Sequence, residues 1–367
     1  MASGTTYNRL CRVKRRAQIL ILILVILGST DSMSVRSASA QLPTKNCLHT
    51  SVGFLPLTDM TASDFYHGEE GGLYGAGENA LPGNHPHMVK AYEATLGIQP
   101  RDSIGAVDQE NGLIGLISIG MSNARAEFGR FQVNAGAEKS PAVVIVNGAQ
   151  DSQVASRWAN PPPEYDPWTY LADKIKESGL SPAQVQVVWL KEANGSPDPL
   201  TDAFPVYAQK LRDDMATIVR RVRTDYPNVG IVYFSSRIYA GYADIPLNPE
   251  PFAYEGGFSV RWLIQDQVSG GGASGVTYEN APVLLWGPYL WADGLNRRSD
   301  DLMWSCDDFM DDGIHPDVSA RQKVAEMISN FFTSDSLAKS WYSGLGPPDP
   351  PPPGENENTI YLPVMAN

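Results

Sequence analysis

Five short, continuous apolar runs constrain the fold of this chain more than any other feature: Leu113 to Gly120, Ala142 to Asn147, Val185 to Leu190, Gly230 to Ser235 and Val283 to Trp286. A strand without polar alternation is buried on both faces, the condition of a strand in a parallel sheet covered by helices. Amphipathic stretches separate the runs: Ser122 to about Phe131, Asp151 to Trp158 with Trp168 to Ser178, Pro205 to Asp225, and Glu250 to Val268. A last helix is expected from near Asp317 towards Phe332, and a shorter one around Ser336 to Trp341. Right-handed crossovers then give an α/β fold, three-layered and doubly wound, on a mainly parallel five-stranded sheet. Functional groups in such a fold gather at the carboxyl ends of the strands.

The body with this pattern is expected over residues 112–344, after an N-terminal arm, 41–111, whose Gly-, Pro- and His-rich stretch Leu48 to Asn111 lacks clear periodicity and wraps the domain. Residues 1–40 read as a secretory signal. Arg12, Lys14, Arg15 and Arg16 precede the apolar run Ile19 to Leu27, and Ala38-Ser39-Ala40 precedes Gln41 as a small-residue cleavage pattern. The run is short of the roughly 20 apolar residues of a membrane span, which leaves an uncleaved anchor as the minor alternative. Residues 345–358 read as a stiff linker, six of the seven residues from Pro347 to Pro353 being proline. A short apolar tail, 359–367, follows. A cell-surface retention or export address, a strand pairing with another surface, and no role at all are the readings of this tail.

Charge narrows the partners. The formal net charge is −13, and removing the signal, with six basic residues and one acidic, leaves −18. Such a chain lacks the cationic surface that nucleic-acid phosphates require, so no nucleic-acid partner is expected. Of the three cysteines, Cys47 and Cys306 remain after the signal. They are candidates for a disulfide in an oxidising, extracytoplasmic compartment, although sequence does not supply the geometry. No Cys/His spacing suggests zinc.

The chemistry lies in the turns after the strands. Gly120-Met121-Ser122-Asn123 is a sharp strand-to-helix turn presenting a serine near the positive end of the next helix, which suits a nucleophile; the alternative is an ordinary N-cap. Asn147-Gly148-Ala149-Gln150 follows the second run, and Lys191-Glu192-Ala193-Asn194 the third; Asn194 also opens a glycosylation sequon. Asp312-Gly313-Ile314-His315-Pro316 places an acid three residues before the only histidine beyond the first strand. That acid can accept from the imidazole Nδ1–H and leave Nε2 to take a serine proton. A cation site built from Asp307, Asp308, Asp311 and Asp312 is a weaker reading, because calcium prefers a looser loop of alternating ligands.

Taken in order, Ser122, Gly148, Asn194 and Asp312-x-x-His315 resemble the four blocks of the SGNH (GDSL-type) hydrolase family, over about Leu113 to Phe332. The resemblance implies a flavodoxin-like sheet and a serine esterase acting without metal or cofactor. Ser122 would be the nucleophile, His315 the base and Asp312 its orienting acid. The Ser122 and Gly148 backbone N–H groups and the Asn194 amide would form the oxyanion hole. Gly120-Met121-Ser122 departs from the Gly-Asp-Ser frequent in the family.

For the substrate, the loops after the fourth and fifth runs hold Arg237, Tyr239 and Trp291, candidates for binding a sugar ester by stacking and hydrogen bonding. Arg237 either meets an anionic or carbonyl group of the substrate or pairs with Glu250 or Glu255. The expected function is a secreted or cell-surface esterase removing short O-acyl groups, foremost acetyl, from carbohydrate or another small ester. A lipase or lysophospholipase is the nearby alternative and a non-catalytic glycan-binding protein the distant one.

Overall fold

The computed structural model describes residues 45–352. The signal-like segment and the apolar tail 359–367 lie outside the described residues. No described helix is long and apolar enough to cross a membrane.

The five apolar runs form one parallel sheet: β3 Ile114–Gly120, β4 Val143–Asn147, β5 Val185–Lys191, β6 Ile231–Phe234 and β7 Val283–Trp286. They lie in the order β4-β3-β5-β6-β7, the flavodoxin-like order in which the second strand takes one side of the first and the rest the other. Every residue of β3, β5, β6 and β7 is buried, which is why these segments carry no polar alternation.

Two helical layers cover the sheet. One contains α2 Ser122–Asn134, α7 Val318–Ser334 and α8 Ala338–Tyr342 with α1 Pro86–Leu96; the other contains α3 Ala155–Ala159, α4 Pro167–Glu177, α5 Val206–Asp225 and α6 Phe252–Val268. Aromatic side chains fill the first interface. Phe128 stacks on Trp189 with ring centres 5.2 Å apart, and Phe332 meets Phe131 and Tyr342 at 5.7 and 5.2 Å.

The stretch Leu48 to Asn111 is more ordered than its composition suggests. Phe65–Tyr66 (β1) and Glu69–Glu70 (β2) form a small antiparallel ribbon, and α1 is a full helix. His85 caps α1 by accepting from the His87 N–H, Pro86 opens it, and His87, Ala91 and Thr95 form its buried stripe. The arm is sewn to the body by polar contacts. Asp293 accepts from the Val52 and Gly53 N–H groups and from the Ser51 hydroxyl, and Trp286 donates to Leu73 O. Cys47 and Cys306 form a disulfide with Cα atoms 5.4 Å apart. Beyond α8, Pro348 is buried and lines a groove with Thr95, Leu96 and Pro347.

Candidate active site

A cavity of about 440 Å³ opens at the carboxyl ends of β3, β4, β5 and β6, lined by residues of the turn after each. It straddles the crevice between β3 and β5, where the chain switches direction across the sheet.

Ser122 is the first residue of α2. The N-cap is Met121, which makes no side-chain cap hydrogen bond, so the Ser122 hydroxyl is not consumed in capping. It lies 2.8 Å from His315 Nε2. On the other side of the ring, Nδ1 is 2.5 Å from Asp312 Oδ2. Asp312 Oδ1 also accepts from the Ile314 and His315 N–H groups, each at 2.9 Å. Burial alone would raise the Asp312 carboxyl, but these bonds and the imidazole outweigh it and hold the group at about 2. Asp312 is therefore an anion across the neutral range, the form that accepts Nδ1–H.

The surrounding chain fixes this geometry. Gly313 sits at φ +69°, and a Cβ there would lie 2.3 Å from Tyr242 O, so the turn requires glycine. Met310 N donates to His315 O, and the buried Asn123 side chain donates to Ile314 O at 2.9 Å, tying the start of α2 to the histidine loop. Lys45 clamps the same loop from the arm, its Nζ donating to Cys306 O and Phe309 O. Asn123 was not singled out from sequence; its place next to the serine is the only signal it offers.

The oxyanion assignments divide. Ser122 N–H has no partner among the described residues and lies at the positive end of α2. Gly148 does not serve: its N–H is directed at Ser118 Oγ, 3.2 Å away, and it does not line the cavity. Glycine is needed there for packing, since a Cβ would fall 2.3 Å from Leu171 Cδ1 and 2.7 Å from Ser118 O. Four residues on, Ser152 takes φ +63° and lines the cavity, with its N–H likewise unpartnered among the described residues. A non-glycine residue held in that conformation marks a turn that the surrounding fold dictates. The turn also shortens the helix expected over Asp151 to Trp158 to α3. Asn194 lines the cavity with its amide anchored, Oδ1 accepting from Ser156 N and Nδ2 donating to Asp214 Oδ2 at 2.7 Å, which leaves one amide hydrogen.

Of the candidate substrate residues, two are corrected. Tyr239 and Trp291 are 0% exposed and absent from the cavity wall. Tyr239 donates to His49 O and Trp291 Nε1 to Glu250 Oε1, so both pack loops. Arg237 does reach the cavity wall, and it pairs with neither Glu250 nor Glu255: Glu250 accepts from Ala240 N, Tyr254 N and Trp291, and Glu255 from Tyr66. Beneath the site, Glu127 on the inner stripe of α2 meets Lys191 at the end of β5 at 2.5 Å, both fully buried. The aspartates near the histidine face different partners, Asp308 taking Lys323 and Asp312 taking His315. Among the described residues no three His, Cys, Asp or Glu side chains are grouped to hold a metal.

No family model and no curated protein matches this chain. Among solved structures it is similar to the lipase Lip_vut3 from a goat rumen metagenome, at 12% identity over 59% of this chain and 98% of that one, TM-score 0.36. It is also similar to a family two carbohydrate esterase from Clostridium thermocellum, at 12% identity over 60% and 63%, TM-score 0.36. A third is the C-terminal catalytic domain of the Streptococcus pneumoniae peptidoglycan O-acetyltransferase, at 13% over 63% and 96%, TM-score 0.33. These values are too low to transfer an activity, so the chemistry of this chain rests on its own geometry.

Proposed function

We propose that this protein is an extracytoplasmic serine esterase that removes short O-acyl groups, foremost acetyl, from a polar alcohol such as a carbohydrate. The observation that carries the reading is the hydrogen-bonded chain Ser122 Oγ, His315 Nε2, His315 Nδ1 and Asp312 Oδ2, open to a cavity at the switch point of the sheet. In this mechanism His315 Nε2 takes the Ser122 proton as Oγ attacks the ester carbonyl, while Asp312 holds the imidazole in the tautomer that leaves Nε2 free and stabilises the imidazolium. The oxyanion faces Ser122 N–H, with Ser152 N–H and the remaining Asn194 amide hydrogen as further donors on the wall. Each such donor is worth about 3 kcal/mol in comparable sites. His315 then protonates the leaving alcohol, and water repeats the sequence on the acyl-enzyme.

The wall supports a polar alcohol by hydrogen bonding rather than by stacking. Arg125, Asp151, Asn194, Asn248 and Arg321 line it beside the apolar Val154, Leu247, Met310 and Ile314, and among the described residues no Phe, Tyr or Trp does. The Cys47–Cys306 disulfide supports an oxidising compartment, and the signal-like N-terminus agrees with it.

The test is hydrolysis of p-nitrophenyl acetate, butyrate and decanoate by the wild type and Ser122→Ala. The proposal expects turnover that falls with acyl length and drops by about 10³-fold or more in the variant. Preference for decanoate would favour a lipase. No turnover at any length would leave a non-catalytic binding protein.

A further inference from the structure

Arg237 is 2% exposed and forms part of the cavity wall, yet its guanidinium makes no hydrogen bond or ion pair to any described residue. Its Nε and Nη2 atoms are sealed from solvent without partners. The other two arginines of the wall are accounted for at the rim: Arg125 pairs with Asp151 at 2.8 Å, and Arg321 Nε donates to Pro316 O. A buried unpaired guanidinium is expensive, because the charge is desolvated with no compensating anion, and guanidinium cannot shed its proton to escape that cost.

No nearby acid bonds to it, although Glu127, Glu250 and Asp312 favour its charge from a distance. Glu127 Oε2 is taken by Lys191. Glu192 accepts from the Ala193 N–H, and burial pushes its carboxyl well up, towards the neutral form. Asp312 belongs to His315. Glu127, Glu250 and Asp312 act on Arg237 only at longer range, none of them within ion-pair distance, so the guanidinium has negative charge in its neighbourhood but no bonded anion among the described residues.

We propose that the cavity is built for an anionic ester, one that carries a carboxylate near the scissile bond, and that Arg237 is the group that receives it. The inference rests on the esterase reading and deepens it by naming a substrate class. Nη1, the one guanidinium nitrogen not sealed, can donate end-on to a carboxylate oxygen in the cavity, and its low-dielectric setting strengthens the pairing. The carboxylate belongs either to the alcohol, as in an acetylated uronate, or to the acyl group, as in a hemisuccinate.

Two measurements test this, one independent of catalysis. Ser122→Ala is titrated calorimetrically with glucuronate, glucose, succinate and butyramide, alone and with Arg237→Met added. Binding of one carboxylate, absent for its neutral counterpart and weakened 10-fold or more by Arg237→Met, is the expected result. In the second, kcat/KM is compared within two pairs: aryl hemisuccinate against aryl butyrate, and O-acetylglucuronate against O-acetylglucose. Arg237→Met should lower the anionic-over-neutral selectivity of one pair 10-fold or more, chiefly through KM, with partial rescue by Arg237→Lys. The responding pair identifies which side carries the charge.

Removing an unpaired buried charge should leave Tm unchanged or higher. A fall of several degrees in Arg237→Met with parallel loss on both members of each pair would overturn the inference and make Arg237 a structural partner of Glu127. Equal binding of charged and neutral ligands would also overturn it. Carboxylate binding that depends on Arg237 without turnover of any ester would sink the esterase reading and with it the ester, leaving Arg237 as the receptor of a carboxylate ligand.

Discussion

At the scale of single residues, the site depends on atoms placed by backbone rather than by side-chain choice alone. Asp312 spends one oxygen on the imidazole and the other on two backbone N–H groups. Asp312→Asn should therefore cost activity through the wrong imidazole tautomer, by about 10⁴ in kcat as in triads of this type, with Tm lowered as well. The p-nitrophenyl acetate assay and a melting curve check both. Gly148→Ala and Ser152→Gly separate packing from function. The first forces a methyl group against Leu171 and Ser118 and should destabilise by about 1–3 kcal/mol. The second relaxes a positive φ while keeping the N–H, so it should fold at least as stably and still hydrolyse the ester. Urea unfolding midpoints with the same assay would expose the reverse order.

At the scale of elements, the buried strands were readable because burial on both faces erases polar alternation, and their ends named the turns that hold Ser122, Asn194 and Arg237. Helix α1 was not readable: histidines and prolines around His85 and His87 obscure its stripe, and its burial depends on packing against β7. Tyr239 and Trp291 misled for a related reason, since their position after a strand says nothing about whether the arm covers them. Ser152 was missed because its signal is a backbone angle, and Glu127 and Lys191 because each looks like a solvated charge until α2 is laid on β5.

His87 makes α1 testable. It is fully buried, with Nε2 2.9 Å from Leu284 O and Nδ1 2.8 Å from Tyr278 Oη. Burial pushes its imidazole down to about 4 from 6.5. Between those values the unfolded chain binds the extra proton, so the His87 contribution is full above pH 6.5 and is lost as pH falls towards 4. At pH 5 the loss is roughly 2 kcal/mol. Glu250 and Glu255, raised by burial to about 7, give the opposite trend in the wild type and His87→Gln alike, so the comparison between the two isolates the histidine. The Tm deficit of His87→Gln should be roughly 3–6 °C smaller at pH 5 than at pH 7.5; a constant deficit would contradict the buried neutral imidazole.

At the scale of the whole molecule, the arm and the histidine loop are one structure. The Cys47–Cys306 disulfide spans 259 residues of sequence, and Lys45 bonds to carbonyls beside it. A cross-link closing so long a loop contributes about 2–5 kcal/mol. Calorimetry with and without reductant should show Tm falling on reduction, and the Cys47→Ser/Cys306→Ser variant should match the reduced protein. An unchanged Tm with two free thiols titrated would remove the disulfide from the stability of the fold.

The most direct test of the central claim, that Ser122 is a nucleophile activated by His315, is labelling with a fluorophosphonate followed by mass mapping of the adduct. The expected result is one adduct per chain, located on Ser122, absent in Ser122→Ala and strongly slowed in His315→Ala. An unlabelled wild type, or an adduct on another residue that persists in Ser122→Ala, would contradict it.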